Sequence, residues 1–173
     1  MRPIITLLSI ALVFALSGAA IAETKVTISN THLCCPMCLK AVEATLKDVA
    51  GVKHTSSQAA KTIEITADSD AAAQKAIDAL AGAGFYGKLD NDKVKYKPVA
   101  TGNAEVTKLE VAGVHNCCGQ CTTAIKKAVT SVSGVTGTTV KNKDESFAIE
   151  GKFKPADVVK ALLDAGFYVE VKK

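Results

Sequence analysis

The stretch His32-Leu33-Cys34-Cys35-Pro36-Met37-Cys38 is the most informative part of the chain. It recurs 83 residues later as His115-Asn116-Cys117-Cys118-Gly119-Gln120-Cys121, so both copies read H-x-C-C-x-x-C. All six cysteines and two of the three histidines lie in these heptads. The soft-ligand chemistry of the protein is therefore confined to two short segments, which we name loop 1 (residues 32–38) and loop 2 (residues 115–121).

The repeat extends beyond the two loops. Two further segments recur at nearly the same spacing: Gly51-Val52 with Gly134-Val135, and Ala83-Gly84-Phe85-Tyr86 with Ala165-Gly166-Phe167-Tyr168. Self-similarity at a fixed spacing indicates duplicated structural units. The sequence therefore predicts two homologous modules, residues 23–97 and 105–173, joined by a linker over residues 98–104.

Residues 1–22 are predicted to be a secretory signal. Arg2 supplies a basic start, residues 4–16 form an apolar run, and Ala20-Ile21-Ala22 fits an A-x-A cleavage pattern. The alternative is a membrane anchor, but the run is short for a membrane span and no stop-transfer charges follow it. We therefore expect an exported protein, periplasmic in a Gram-negative host, with no stable membrane insertion after cleavage.

The charge pattern argues against a nucleic-acid partner. The chain carries 21 Lys plus Arg against 17 Asp plus Glu, a formal net charge of +4. These charges are spread evenly and form no basic patch. Arg2 is the sole arginine, so the side chain that best reads phosphates and base edges is missing from the predicted mature protein.

Both modules show the same order of secondary-structure patterns. An alternating strand precedes each loop, and apolar residues spaced three or four apart, such as Leu39, Val42 and Leu46, predict a helix after it. A hairpin, a second helix ending at Gly84 or Gly166, and a last strand follow. The predicted fold is α+β: two tandem ferredoxin-like βαββαβ modules, each a four-stranded antiparallel sheet with two helices on one face. Residues 90–97 are predicted to add a hairpin extension.

The crowded cysteines favour chemistry or metal binding over a structural disulfide framework. A framework staples distant segments, because the stabilisation rises with the length of the loop closed. Cys38 and Cys121 are expected at helix starts, where free N–H groups and the helix dipole stabilise a thiolate. A thiolate pair of this kind suits a soft ion such as Cu(I), Zn(II) or Hg(II), and Cys34 or His32 could supply a third ligand.

The chain resembles the heavy-metal-associated domain family, which includes mercury-binding periplasmic proteins, copper chaperones and the N-terminal domains of metal-pumping P-type ATPases. The resemblance rests on the two C-x-x-C pairs between strand and helix and on the Gly-Val and Ala-Gly-Phe segments of each module. It implies that Cys35 with Cys38, and Cys118 with Cys121, hold metal. It also implies that Phe85 and Phe167 shield the metal loops, although plain core packing is the alternative for both rings.

Both loops depart from the family pattern G-M-x-C-x-x-C. No Met occupies the expected position, the loops are longer, and each contains an extra Cys and an extra His. Metal ligation by the extra groups therefore rests on ligand chemistry and the repeat alone; these groups are Cys34, Cys117, His32 and His115. The alternative for each His is a hydrogen bond that positions the loop.

The sequence thus predicts a non-enzymatic binder of soft metal ions, Cu(I) or Zn(II), that buffers the ion or hands it to a membrane transporter or another carrier. We expect one ion in each module, or an ion shared between the loops if the modules face each other. The competing class is a thiol–disulfide oxidoreductase using the C-x-x-C pairs. Each module is short for a thioredoxin fold, however, and neither Pro98 nor Pro155 fits that family's proline position. His54 is expected to be a surface residue.

Overall fold

The structure is a computed structural model that describes residues 23–172, so the predicted signal lies outside the described residues. The first module contains β1 (Thr24–Ser29), α1 (Pro36–Leu46), β2 (Val52–Ser57), β3 (Thr62–Ala67), α2 (Asp70–Gly82) and β4 (Lys88–Leu89). The second contains β5 (Val106–Ala112), α3 (Gly119–Thr130), β6 (Val135–Thr138), β7 (Ser146–Phe153), α4 (Pro155–Asp164) and β8 (Glu170–Val171).

Each module forms one antiparallel four-stranded sheet, and the two sheets have the same topology. The strand orders are β2-β3-β1-β4 and β6-β7-β5-β8. The two helices of each module also pack against each other. The predicted fold class, two ferredoxin-like βαββαβ modules, is confirmed. Among residues 23–172, no helix has the length and apolar character needed to cross a membrane.

The alternating and helical patterns position the loops by burying one face of each element. In β1, Val26 lies opposite Ile65 and Ile28 opposite Ile63, and all four side chains are buried. In α1 the buried stripe is Cys38, Val42 and Leu46, and in α3 it includes Cys121, Ile125 and Val129. Because one cysteine of each loop occupies the first position of a core-facing stripe, its sulfur is held where strand, loop and helix meet.

The last strand of each module is shorter than expected because its first residues pair with the other module. Phe85 and Phe167 form an isolated antiparallel bridge. The Tyr86 N–H donates to the Gly166 carbonyl at 3.2 Å, and the Tyr168 N–H donates to the Gly84 carbonyl at 3.0 Å. The strands within each sheet therefore begin only at Lys88 and Glu170, and the backbone bonds before them join the modules.

Residues 90–97 do not form the predicted hairpin extension. They run without strand pairing along α2, where Gln74 donates to the Lys95 carbonyl and accepts from the Lys95 N–H. Val94 is buried, and the Tyr96 ring packs 4.5 Å from that of Tyr86. The hydrogen bonds between the Gln74 side chain and the Lys95 backbone, together with the burial of Val94, replace the hairpin. Residues 98–104 carry no helix or strand.

Candidate metal centre

Each loop places its C-x-x-C pair at the start of a helix. Cys35 and Cys118 are the residues that precede α1 and α3, and both have extended backbone conformations. Cys38 and Cys121 lie in the first turn and are fully buried. Neither helix has an acidic residue in its first turn or a side-chain cap. The unpaired N–H groups and positive dipole ends therefore face the thiols, as the sequence predicted.

The two loops face each other because each module reaches its Ala-Gly-Phe segment into the loop of the other. Gly84 has φ +82°, and a Cβ there would collide with the backbone nitrogen of His115. Gly166 has φ +88°, and a Cβ there would collide with the backbone nitrogen of His32. Both the left-handed conformation and the close backbone approach require glycine.

The phenylalanines that follow these glycines cover the histidines of the opposite loops. Phe85 stacks on His115 with ring centroids 4.2 Å apart, and Phe167 packs on His32 at 4.4 Å. Both phenylalanines are fully buried and belong to the hydrophobic core. Phe85 and Phe167 therefore do both things that the sequence left as alternatives: they pack in the core and they cover a cysteine loop. Each ring covers the loop of the other module.

The six cysteine sulfurs form one compact cluster that spans both modules. In one triangle, the Sγ of Cys35 lies 3.8 Å from that of Cys38 and 3.9 Å from that of Cys117, and the Cys38–Cys117 separation is 3.6 Å. The triangle thus joins the C-x-x-C pair of loop 1 to the first cysteine of loop 2.

A second triangle has the complementary composition. The Sγ of Cys34 lies 3.6 Å from that of Cys118 and 3.5 Å from that of Cys121, and the Cys118–Cys121 separation is 3.8 Å. Three further edges of 3.7–3.8 Å connect the triangles: Cys34 to Cys38, Cys35 to Cys118, and Cys117 to Cys121. Thiolates that share a metal ion at about 2.3 Å stand roughly 3.8–4.0 Å apart, so these separations suit a common ion.

All six cysteines are free thiols. The shortest Sγ–Sγ separation, 3.5 Å between Cys34 and Cys121, far exceeds the disulfide length of about 2.05 Å. Within residues 23–172, the thiols therefore form a reduced cluster rather than a set of structural staples.

The histidines border the sulfur cluster. The ligand atoms of His115, Cys38, Cys117 and Cys121 all lie within 4.8 Å of one another, and so do those of His32, Cys34 and Cys121. The Nε2 atoms of both histidines are buried and have no hydrogen-bond partner among the residues that the structure describes. A buried polar atom without a partner is costly, so these nitrogens are suited to a ligand that the protein itself does not supply.

The surroundings of the thiols lower the pKa of some and raise the pKa of others. The neighbouring Cys121 thiol, opposed by burial, holds the pKa of Cys38 far below its usual value. The proximity of Cys38, together with burial, raises the pKa of Cys121. Burial disfavours ionisation of Cys118, but the backbone at Cys121 and the Cys34 thiol outweigh it and lower its pKa to about 7.

The other pKa shifts at the site are caused mainly by burial. Desolvation raises the pKa of Cys34, and it raises that of Cys117 to about 12. Desolvation also lowers the pKa of His32, which keeps the imidazole neutral and able to coordinate a metal. Packed thiols of this kind cannot all ionise unless a cation offsets their charge.

Two side chains that the sequence did not single out hold the loops. Asn116, in loop 2, donates from Nδ2 to the carbonyls of Lys141 and Asp144 at 2.8 and 3.0 Å, and its Oδ1 accepts from the Thr122 hydroxyl at 2.9 Å. Gln58 donates to the Cys34 carbonyl at 2.9 Å. The sequence did offer one sign of the role of Asn116, because it is a polar residue inside a cysteine heptad. The equivalent position in loop 1 is a buried leucine.

The cluster is reachable from one side. A surface cavity of about 470 Å³ is lined by Met37, His115 and Cys117, together with Lys143 and Glu145. Met37 is 54% exposed, so it borders this opening rather than closing it. His54 is half-buried on β2, more covered than the expected surface position, and belongs to none of the metal-capable groups of the described residues.

The chain matches no known family model and no curated protein. Among solved structures, it aligns with the apo HMA domain of the copper chaperone for superoxide dismutase, at 24% identity over 46% of this chain and 81% of that one, with a TM-score of 0.36. It also aligns with the N-terminal soluble domains of Bacillus subtilis CopA, at 20% identity over 88% of this chain and 95% of that one, with a TM-score of 0.32. Similarities this weak assign no function.

Proposed function

We propose that the protein is an exported, non-enzymatic binder of soft metal ions that buffers the ion or passes it to a membrane transporter or another metal carrier. The observation that carries this proposal is the sulfur cluster, in which each of the six sulfurs lies 3.5–3.9 Å from three others without a disulfide. Thiolates that bind a common metal ion must lie this close together, whereas cysteines that only pack in a hydrophobic core need not.

The choice of ion rests on the donor set. Thiolates are soft ligands that select Cu(I) and Zn(II) over hard cations such as Mg²⁺. The group formed by Cys38, Cys117, Cys121 and His115 offers the Cys₃His donors that suit tetrahedral Zn(II). The second histidine group has two cysteines, and the sulfur triangles offer three thiolates each, which suits Cu(I) at least as well.

Transfer to a partner requires that an incoming ligand reach the bound ion. The cavity beside Cys117 provides that access, and the exposed Met37 thioether at its edge is a soft ligand. Partner thiolates would replace the thiolates of the loops one at a time. The additional cysteine of each loop keeps the ion coordinated during this exchange.

Anaerobic competition tests the proposed function. The reduced full chain is titrated with Cu(I) and, separately, with Zn(II) in the presence of a coloured chelator, alongside a variant in which all six cysteines are serine. We expect the wild type to withdraw metal from the chelator and the variant to leave it bound. The His54→Ala variant is the control, because His54 belongs to none of the metal-capable groups found in the described part of the chain.

The oxidoreductase alternative predicts a different pattern. It requires that the reduced chain leave both ions with the chelator and that a C-x-x-C pair exchange disulfides with a small disulfide such as oxidised glutathione. That result would overturn the metal-binding proposal. Export is tested separately by fractionation of a Gram-negative host, where processing after Ala22 and recovery from the periplasm are expected, and an unprocessed chain in the cytoplasm would contradict it.

A further inference from the structure

We propose that the two modules hold one four-metal cluster in common, built from six bridging thiolates, rather than one ion in each module. This inference rests on the proposed function, since it assumes that the thiols bind a soft metal. It follows from the arrangement of the six cysteine sulfur atoms.

The six sulfurs stand at the corners of a distorted octahedron. Nine of its edges are the separations of 3.5–3.9 Å within and between the two triangles. The other three edges lie within metal-capable groups whose ligand atoms are no more than 4.8 Å apart: Cys34 with Cys35, Cys117 with Cys118, and Cys38 with Cys121. Every corner is thus connected to four others, as in an octahedron.

Four alternating faces of this octahedron provide four three-sulfur sites. The faces are Cys34-Cys35-Cys38, Cys35-Cys117-Cys118, Cys38-Cys117-Cys121 and Cys34-Cys118-Cys121. Any two of these faces meet at a single corner and share no edge, so each cysteine belongs to two faces. A metal ion on each face would therefore be bridged to its neighbours by thiolates, and no thiolate would be left unused.

The histidines lie at two of these faces. His115 borders the face formed by Cys38, Cys117 and Cys121. His32 lies within 4.8 Å of two sulfurs of another face, those of Cys34 and Cys121. One ring nitrogen of each imidazole is therefore placed to add a fourth ligand at these two sites. Each imidazole lies against a phenylalanine of the opposite module.

Charge favours a monovalent ion in this cluster. Four monovalent ions offset only part of the charge of the six thiolates, and the N-termini of α1 and α3 face what remains. Four divalent ions would instead leave positive charge beside two positive helix ends. Among residues 23–172, no histidine joins the other two faces, whereas structural zinc sites are tetrahedral. The geometry therefore assigns Cu(I) to the cluster.

Separate sites are hard to reconcile with the same geometry. The C-x-x-C sulfurs of loop 2, Cys118 and Cys121, lie 3.6 and 3.5 Å from the Cys34 sulfur of loop 1. An ion bound by that pair would have the third thiolate within reach from the other module. The glycine and phenylalanine contacts of the interface hold the loops at this separation.

Native mass spectrometry of the reduced full chain, titrated anaerobically with Cu(I) against a chelator, tests the shared cluster. We expect four Cu(I) to bind to one chain, with few intermediate species, and X-ray absorption of the loaded protein to show copper–copper scattering. The Cys34→Ser variant removes a corner of two faces, so its tightly bound Cu(I) should fall from four to at most two. The His54→Ala variant should keep all four.

The possible failures separate the two proposals. Two Cu(I) bound independently, without copper–copper scattering and with the second module's ion retained in Cys34→Ser, would overturn the shared cluster but leave metal binding intact. Absence of tight Cu(I) in the wild type would overturn the shared copper cluster. It would overturn metal binding as well only if the reduced chain also left Zn(II) with the chelator. X-ray absorption of the wild type decides the question even if Cys34→Ser does not fold.

Discussion

Phe85 of the first module lies against His115 of the second with ring centroids 4.2 Å apart, and both groups sit beside the sulfur cluster. The pseudo-equivalent pair, Phe167 and His32, lies at 4.4 Å. These crossed contacts couple the hydrophobic core of each module to the other module's loop. A change at the interface should therefore be felt at the candidate metal centre.

Gly84→Ala should weaken the module interface. The new Cβ would collide with the His115 backbone, and φ at this position is +82°. A side chain in a sparsely populated backbone region costs about 1–3 kcal/mol, so the free energy of unfolding should fall by at least that amount. Urea denaturation measures it. Gly82→Ala, in α2 with open space around its Cβ, is the matched control and should be neutral or stabilising by about 0.5–1 kcal/mol. Equal destabilisation by both changes would argue against the contact.

Phe85→Leu should lower metal affinity in addition to stability. The smaller side chain leaves a gap beside His115 and frees the imidazole to move away from the cluster. Phe153→Leu is the control, since it makes the same change at a buried position on β7. Both variants should be destabilised by similar amounts, typically about 1–3 kcal/mol for a large core change. In chelator competition, only Phe85→Leu should release metal more readily, and an equal loss in both would reduce Phe85 to a packing residue.

Asn116→Ala should loosen loop 2. The change leaves the carbonyls of Lys141 and Asp144 without their donor, and a buried group left unpaired costs about 1–3 kcal/mol. We expect lower stability in urea and faster alkylation of Cys121. Asn91→Ala is the control, because Asn91 also donates to a carbonyl, that of Lys25, but is half-buried and belongs to neither cysteine loop. Unchanged alkylation in Asn116→Ala would show that loop 2 is held by other contacts.

Bound metal should protect the cysteines from alkylation. Without metal, the half-buried Cys35 and Cys118 should react with iodoacetamide before the fully buried Cys38 and Cys121. With Cu(I) bound, labelling of all six should slow together, because each sulfur lies within 4 Å of at least one cysteine sulfur of the other loop. Peptide mass spectrometry follows each site. Protection confined to one loop would contradict a common centre.

The sequence predicts the fold and the local position of the C-x-x-C pairs because both depend on short-range patterns. Alternation sets the strands, apolar spacing sets the helices, and Cys38 and Cys121 fall in the first helical turns as expected. The hairpin predicted over residues 90–97 is wrong, because Gln74 pairs with the backbone at Lys95 and no strand pairing forms. That pairing depends on a residue 21 positions away, which no local pattern records.

The approach of the modules could not be predicted from the sequence. It depends on backbone groups, namely the bridge between Phe85 and Phe167 and the bonds from Tyr86 and Tyr168, which carry no side-chain signature. The sequence therefore allowed either separate or shared metal binding. The repeated Ala-Gly-Phe-Tyr segment contains the residues that join the modules. From the sequence, however, it is interpreted only as the end of a helix and the start of a strand within each module.

The most direct test of the account is an aromatic nuclear Overhauser measurement on the reduced full chain in solution. If the modules dock as described, the ring protons of Phe85 should show cross-peaks to His115 and those of Phe167 to His32. Loss of the Phe85–His115 cross-peaks in Gly84→Ala, but not in Gly82→Ala, would support this docking of the modules. Two modules that tumble independently, with neither cross-peak present, would contradict a cysteine centre shared between them.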